Sequence, residues 1–389
     1  MKDILFNLVD EQKNELVDIA FDIFDHPECD GKEYYACELL TKKLKELGFE
    51  VESGVGGMET AFRAVWKKGE GGPNIGLLGE YDALPDVGHA CGHHLQTPAA
   101  IGAAMALRKL FENSDTPFTL TIYGTPAEET TGGKITMIEN GCFRDVDVTI
   151  ATHATKGDAG LSARGLALVR YDVEFKGKRA HAAGAPFEGR SAADAMFLSF
   201  NGIEFLREHV KDGTRMHYAV CQSTKPSNVV PATAFATYTL RSKENSYLGE
   251  IEERFLNVIN GACMMTGTTC EITRFPAYMS AIPNEPLGRA AVNNLKLLSF
   301  PAINEEFRDG KGSTDFGNVS LVVPSVLVRV FYSMDHAAHS LGWLESGKSE
   351  DAVNCLLNSA KVVAGIGYDL ITDPELVKKA KEEFDKAEK

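Results

Sequence analysis

The residues able to do chemistry crowd into one short stretch. Gly79-Glu80-Tyr81-Asp82-Ala83-Leu84-Pro85 is followed by Gly88-His89-Ala90-Cys91-Gly92-His93-His94. A thiol and an imidazole two residues apart, beside two acids, supply metal ligands at high density. Cys91 could equally be a small buried hydrophobe, and His93 or His94 satisfied core histidines. What favours ligands is the distribution of acids and of the chain's ten histidines elsewhere. Pro126-Ala127-Glu128-Glu129, Ala151-Thr152-His153 and Asp335-His336-Ala337-Ala338-His339 all read as segments at strand ends. Thiol, imidazole and carboxylate together suit Zn, Mn, Co or Ni rather than Ca or Mg.

The elements that must position these groups follow from periodicity. Leu16, Ile19, Ala20 and Ile23 recur at helical spacing until Pro27 and Gly31 interrupt, and Ala36, Leu39, Leu40 and Leu44 mark a second helix that stops at Gly48. His26, between them, reads as structural or exposed. Alternation over 49–52 and 62–66 predicts half-buried strands. Asn74–Tyr81, Phe118–Gly124 and Asp147–His153 are short apolar runs of the buried-strand kind, with a helix rich in Ala and Leu over Thr97–Phe111. Ligands of open α/β sheets bind beyond the carboxyl ends of strands, so the acids and histidines after these runs converge on one site.

From about Leu166 the texture changes to strand, helix, strand, strand, helix, strand, the ferredoxin-like order. The strands are expected over 167–175, 216–222, 233–241 and 269–275, with helices over 191–210 and 248–262. After Pro283 the first texture returns: a helix near 287–298, a buried strand over 322–331, a helix over 349–366, and a charged tail from Pro374 expected to be a solvated helix. Two domains are expected: one discontinuous, of residues 1–166 and 279–389, and one inserted, of residues 167–278.

Composition excludes other classes. A formal charge of −15 leaves no basic stripe for nucleic acid. No apolar run approaches a membrane span, and the start of the chain lacks a charged-then-apolar export signal. The eight cysteines have no framework spacing. A reducing, cytoplasmic location is the expectation.

These motifs together resemble the M20 family of metallopeptidases and amidohydrolases, in particular the branch of aminoacylase-like and aminobenzoyl-glutamate hydrolase-like enzymes. The stretches that carry the resemblance are Glu80–Pro85, Gly88–His93, Pro126–Glu129, Gly177-Lys178-Arg179-Ala180-His181-Ala182-Ala183, Asn228-Val229-Val230-Pro231, Ser313–Ser320 and His339-Ser340. They run in consistent order from about residue 10 to residue 365. The segment from Ala180 to Ala195 is similar to dipeptidases acting on Xaa-Lys or Xaa-Arg, an analogy only, because the insert has no acidic cluster to select a basic side chain.

The resemblance implies an α/β fold of two domains: a catalytic domain with a mixed central sheet, and an inserted ferredoxin-like α+β domain for lid and dimer formation. It implies two divalent metal ions per chain, Zn or Mn foremost with Co or Ni as further options, on Cys91, His93, Glu129, His153 and His339. For the last ligand His336 competes with His339, whose His-Ser context fits the pattern. Glu128 would be the general base and Asp82 would orient a ligand imidazole. His181 would stabilise the oxyanion, reaching in from a dimer partner, and Asn228 and Arg241 would hold the substrate carboxylate. Plainer readings are helix-start acids for Glu128 and Glu129, a strand-end hydrogen bond for His153, a loop histidine at 181 and a solvated Arg241; His209 and His217 receive no role. His94 stands where such proteins usually carry Asp or Asn, which would alter the ligands' surroundings or add a ligand. The expected activity is hydrolysis of a dipeptide or N-acyl amino acid, the small-molecule substrate, by a homodimer or higher homo-oligomer. The alternatives are a short-peptide endopeptidase and a non-catalytic metal- or ligand-binding relative.

Overall fold

The computed structural model describes residues 1–223 and 226–388. The described chain divides into two compact units. One comprises Met1–Arg164, Ala281–Asp309 and Thr314–Glu388, the other Gly165–Ser280 with Gly310–Ser313. In chain order the strands are β1 (Glu50–Ser53), β2 (Phe62–Lys68), β3 (Asn74–Gly79), β4 (Phe118–Gly124), β5 (Val148–Lys156), β6 (Ala159–Leu161), β7 (Ala167–Lys176), β8 (Arg215–Ser223), β9 (Thr233–Ser242), β10 (Thr269–Arg274), β11 (Ile303–Asn304) and β12 (Ser325–Ser333). The helices are α1 (Lys2–Asp10), α2 (Lys13–Asp25), α3 (Tyr34–Glu46), α4 (Gln96–Leu110), α5 (Gly133–Glu139), α6 (Ala192–Leu206), α7 (Asn245–Thr266), α8 (Glu285–Leu295), α9 (Phe316–Val319), α10 (Leu341–Glu345), α11 (Glu350–Thr372) and α12 (Pro374–Lys386).

The first unit is built on a mixed sheet in the order β1-β2-β4-β3-β5-β12-β6-β11. Its centre, β4-β3-β5-β12, is parallel, which explains why these strands read as unbroken apolar runs: helices cover both faces. The helix α4 is buried on nearly every side, its Ala-rich surface lying against α11 and α1. Gly79 ends β3 where a Cβ would stand 2.6 Å from the Thr97 Cα, so only glycine lets the start of α4 close onto the strand end. That approach sets Gln96 beside Glu80.

The second unit is a four-stranded antiparallel sheet in the order β10-β7-β9-β8, with α6 and α7 packed on it. Alternation along β7 and β9 buries Val169, Tyr171, Val173, Ala236, Tyr238 and Leu240 in its own core.

Two expectations are corrected. His153 is not at a strand end: β5 continues through Ala154, Thr155 and Lys156, because that segment pairs with β12 as far as Ser333. The charged tail is not merely solvated. Helix α12 buries Ala380, whose carbonyl accepts from Asn284 Nδ2 at 2.9 Å, and Glu383 caps the start of α8 through the Glu285 N–H at 2.7 Å. Helix α1, with Leu5, Phe6 and Val9 buried, has no counterpart among the expected elements.

Candidate metal centre

The site forms beyond the carboxyl ends of the parallel strands of the first unit. Glu80 and Asp82 follow β3, Glu128 and Glu129 follow β4, His153 faces the same region from β5, and His339 lies in the segment after β12. Between Cys91 and His93, Gly92 sits in the left-handed region (φ +88°), a turn that sends both side chains to one side. Two non-glycine residues of the site segments also have positive φ: Ala127 (+59°), just before the Glu pair, and His339 itself (+69°). Such backbone persists where surrounding contacts over-determine it. Here the Gly132 N–H donates to the Ala127 carbonyl at 2.9 Å, and the His339 N–H to the Ala90 carbonyl at 2.7 Å.

Cys91, His93 and His153 each bring a donor atom within 4.8 Å of the others, as do Cys91, Glu129 and His339, and His93, Glu128 and Glu129. Cys91 Sγ is 3.4 Å from His153 Nε2, His339 Nε2 is 3.3 Å from Glu129 Oε1, and His93 Nε2 is 3.7 Å from Glu129 Oε1. Donors about 2.0–2.3 Å from a shared ion at tetrahedral angles stand roughly 3.3–3.8 Å apart. His93 Nε2 is buried with no hydrogen-bond partner, as a ligand nitrogen aimed at an ion would be. The donor set therefore fits a divalent metal.

Supporting contacts fix the ring orientations. Asp82 Oδ1 is 3.0 Å from His93 Nδ1, and Asp82 Oδ2 accepts from the Glu129 N–H at 3.0 Å, so one carboxylate aligns two donors. On His153, Nδ1 is 2.7 Å from the Ala154 carbonyl and 2.8 Å from Arg329 Nη1, leaving Nε2 toward Cys91.

The electrostatics match. Burial opposes a charge on His93, but the Cys91 sulfur, Glu80 and Asp82 outweigh it and hold its pKa well above the usual value. A position that favours a protonated imidazole this strongly favours a cation. Burial, Arg329 and His93 lower His153 to about 3, keeping it neutral as metal ligation requires. For Glu129, burial is overcome by the hydrogen bond from His339 and by the charge of His93, which bring it down to about 2. Burial first, then Glu80, Asp315 and Glu129, raise Glu128 well above an ordinary carboxyl, toward the range of a general base.

Of the expected site residues, Asp82, Cys91, His93, Glu128, Glu129, His153 and His339 come together in the first unit. His336 does not join them: it is exposed, and its ring packs on Gly342. His94 is not among the clustered donors either. It turns the other way, Nε2 3.0 Å from the Gly347 carbonyl and its ring 4.9 Å from that of Phe24. In the second unit His181 and Asn228 are neighbours, the Ala182 N–H donating to the Asn228 carbonyl at 2.9 Å. Arg241, on β9, is apart from them, half-buried, with Nη1 2.9 Å from Ser313 Oγ.

Sequence reasoning missed Lys134 and Arg329. A signal existed for each: Lys134 follows the Glu pair by a Gly-Gly turn, and Arg329 is a lone charge inside an otherwise apolar strand, paired in register with His153.

With this geometry in place, comparison with known proteins is decisive. Residues 76–355 match the model of peptidase family M20/M25/M40. The chain belongs to this family. One of the two chain types of the Escherichia coli p-aminobenzoyl-glutamate hydrolase is 37% identical over 316 residues, 77% of this chain and 65% of that one. A mouse Xaa-Arg dipeptidase is 34% identical over 340 residues, 84% of this chain and 78% of that one. Among solved structures, a Bacillus subtilis dinuclear metal-binding peptidase of family M20 superposes with a TM-score of 0.69 at 20% identity, over 92% of this chain and 99% of that one. This M20 chain is a hydrolase of amide or peptide bonds, with the mixed α/β fold and two-domain arrangement of its family.

Proposed function

We propose that the chain hydrolyses the amide between an acyl or aminoacyl group and the nitrogen of an amino acid, as in a dipeptide or N-acyl amino acid. The observation that carries this is the donor spacing of 3.3–3.7 Å around His93, Glu129, His153, Cys91 and His339, with Glu128 alongside. These five residues would hold two divalent ions, Zn or Mn by donor chemistry. When bound, the ions polarise the scissile carbonyl and acidify water.

Glu128 takes the proton of the attacking water and returns it to the leaving amine, a role its raised pKa suits. Asp82 keeps His93 and Glu129 aligned through its two oxygens. His181 stabilises the oxyanion. Its Nδ1 accepts from the Ala183 and Gly184 N–H groups at 3.2 and 3.1 Å, so the proton sits on Nε2, which is left to donate. Asn228 and Arg241 hold the substrate carboxylate; the Ser313 contact is one Arg241 would exchange for it.

The second unit acts as lid and dimerisation domain, with residues 167–278 as its sequence limits. In support, β8 is a sheet edge, and Phe197, Phe205 and Val220 are exposed on the unit. A cytoplasmic location accords with eight free cysteines. Among the described residues no helix is long and apolar enough to cross a membrane.

The test is amine release from a panel of dipeptides and N-acyl amino acids by metal-stripped protein reloaded with Mn or Zn, against the stripped blank. Metal-dependent release from one substrate group supports the reading; silence across the panel from metal-loaded protein rejects it. For the trans role of His181, mixing His181→Ala with Glu128→Ala chains under conditions that exchange protomers should restore activity.

A further inference from the structure

Three carboxylates crowd together behind the metal-binding donors. Glu80, Glu128 and Asp315 each place an oxygen within 4.8 Å of the others, and all three are buried. Negative charges this close, away from water, repel unless a cation lies among them. That cation is Lys134. Its side chain is 1% exposed, and Nζ lies 2.6 Å from Glu80 Oε1 and 2.7 Å from Asp315 Oδ1. The Lys134 N–H also donates to Asp315 Oδ2 at 3.0 Å, so Asp315 grips the first turn of α5 by backbone and side chain together.

The bridge continues toward the metal-binding donors. The other oxygen of Glu80 accepts from Gln96 Nε2 at 2.6 Å and stands 3.2 Å from His93 Nε2. A continuous line of contacts therefore runs Asp315–Lys134–Glu80–His93, with Glu128 against Glu80 and Asp315. Four separate stretches of chain are joined: the end of β3, the start of α5, the start of α4 and the Ser313–Ser320 motif, to which the proposed mechanism assigns nothing.

We infer that Lys134 is a positioning residue for hydrolysis: its ammonium clamps Glu80 and Asp315, and the clamped pair seats Glu128 against the attacking water. This rests on the reading of Glu128 as general base. A lysine serving stability alone would lower the melting temperature and leave turnover per folded, metal-loaded chain unchanged. A positioning lysine changes kcat.

The experiment compares Lys134→Met, Asp315→Asn, the double variant and Glu128→Gln, each loaded with Mn, for kcat, KM, metal content and melting temperature. The expected result for Lys134→Met is wild-type metal content, KM within about threefold, and kcat down about 100-fold, the scale of a misplaced reacting group. Removing Asp315's charge as well should return kcat about tenfold, because the lost cation then leaves one fewer carboxylate unbalanced. Wild-type kcat in Lys134→Met, or a loss of activity that follows metal content one for one, overturns the proposal. So does a double variant no faster than Lys134→Met. If Lys134→Met does not fold, Asp315→Asn decides: about a tenfold drop in kcat with metal retained supports the clamp, and unchanged kcat sinks it. Glu128→Gln separates the two layers. If it turns over at the wild-type rate, the base assignment fails and the proposal with it; if it is inactive beside a wild-type Lys134→Met, only the role of Lys134 fails.

Discussion

His93 and His94 are adjacent, lie on the same short 3-10 turn and are both fully buried, yet they belong to opposite chemical regions. On the front face, His93 is surrounded by Glu80, Asp82 and Glu129 and its pKa is driven well up. On the back face, His94 sits among Phe24, His89 and the Gly347 carbonyl, and burial lowers it to about 4. Burial is shared and cannot be the difference. The carboxylates decide: where they outnumber other neighbours the site favours a cation, and where aromatic rings replace them the histidine stays neutral and serves as packing.

Removing the front histidine breaks the comparison most severely. His93→Ala should abolish metal binding at the site and lower kcat/KM at least about 1000-fold, read by metal analysis and amine release. A variant that kept full metal content would show that the donors of Cys91, Glu129, His153 and His339 suffice without it.

The pivot between the faces comes next. Gly92 has φ +88°, and a Cβ there would lie 3.0 Å from the Ala154 Cβ. Gly92→Ala should cost about 1–2 kcal/mol of stability. It should also lower turnover by about 10–100-fold, because Cys91 and His93 would no longer aim together. Turnover within twofold of wild type would mean that the turn merely connects the two donors.

How far the sequence could foresee this contrast depends on spacing. Cys91 and His93 were legible because a two-residue separation across a glycine keeps donors together in almost any fold. The parallel strands were legible as apolar runs, which placed Glu80, Glu128 and His153 at one end of a sheet. The strands and helices of the second unit were legible from alternation and helical spacing. The choice between His336 and His339 was not, since both follow β12 in a loop. It is made by a backbone hydrogen bond from His339 to Ala90, a residue far away in the chain. Lys134 was invisible for a related reason: a lysine on a short amphipathic segment reads as solvated, and only the meeting of Glu80 with Asp315 draws it inside. The fate of His94 was likewise open, because nothing local announces Phe24 or Gly347 as its neighbours.

The smallest effect on turnover is expected at the back face, where acid stability is affected instead. His94→Gln keeps a polar group able to donate to the Gly347 carbonyl, so activity should stay within about threefold of wild type. The folded-state pKa of about 4 lies below the ordinary value of 6.5, so between these two pH values the unfolded chain binds a proton that the folded chain does not. The contribution of His94 to stability is therefore full above pH 6.5 and is lost as pH falls toward 4. The loss is on the order of 2–3 kcal/mol for a group this buried. Denaturant unfolding of the metal-free protein at pH 7 and pH 4.5 measures it: the drop between the two should be smaller in His94→Gln than in wild type. Equal drops would place the acid sensitivity on the front face, with the carboxylates that hold His93, and would remove the back face from the pH response.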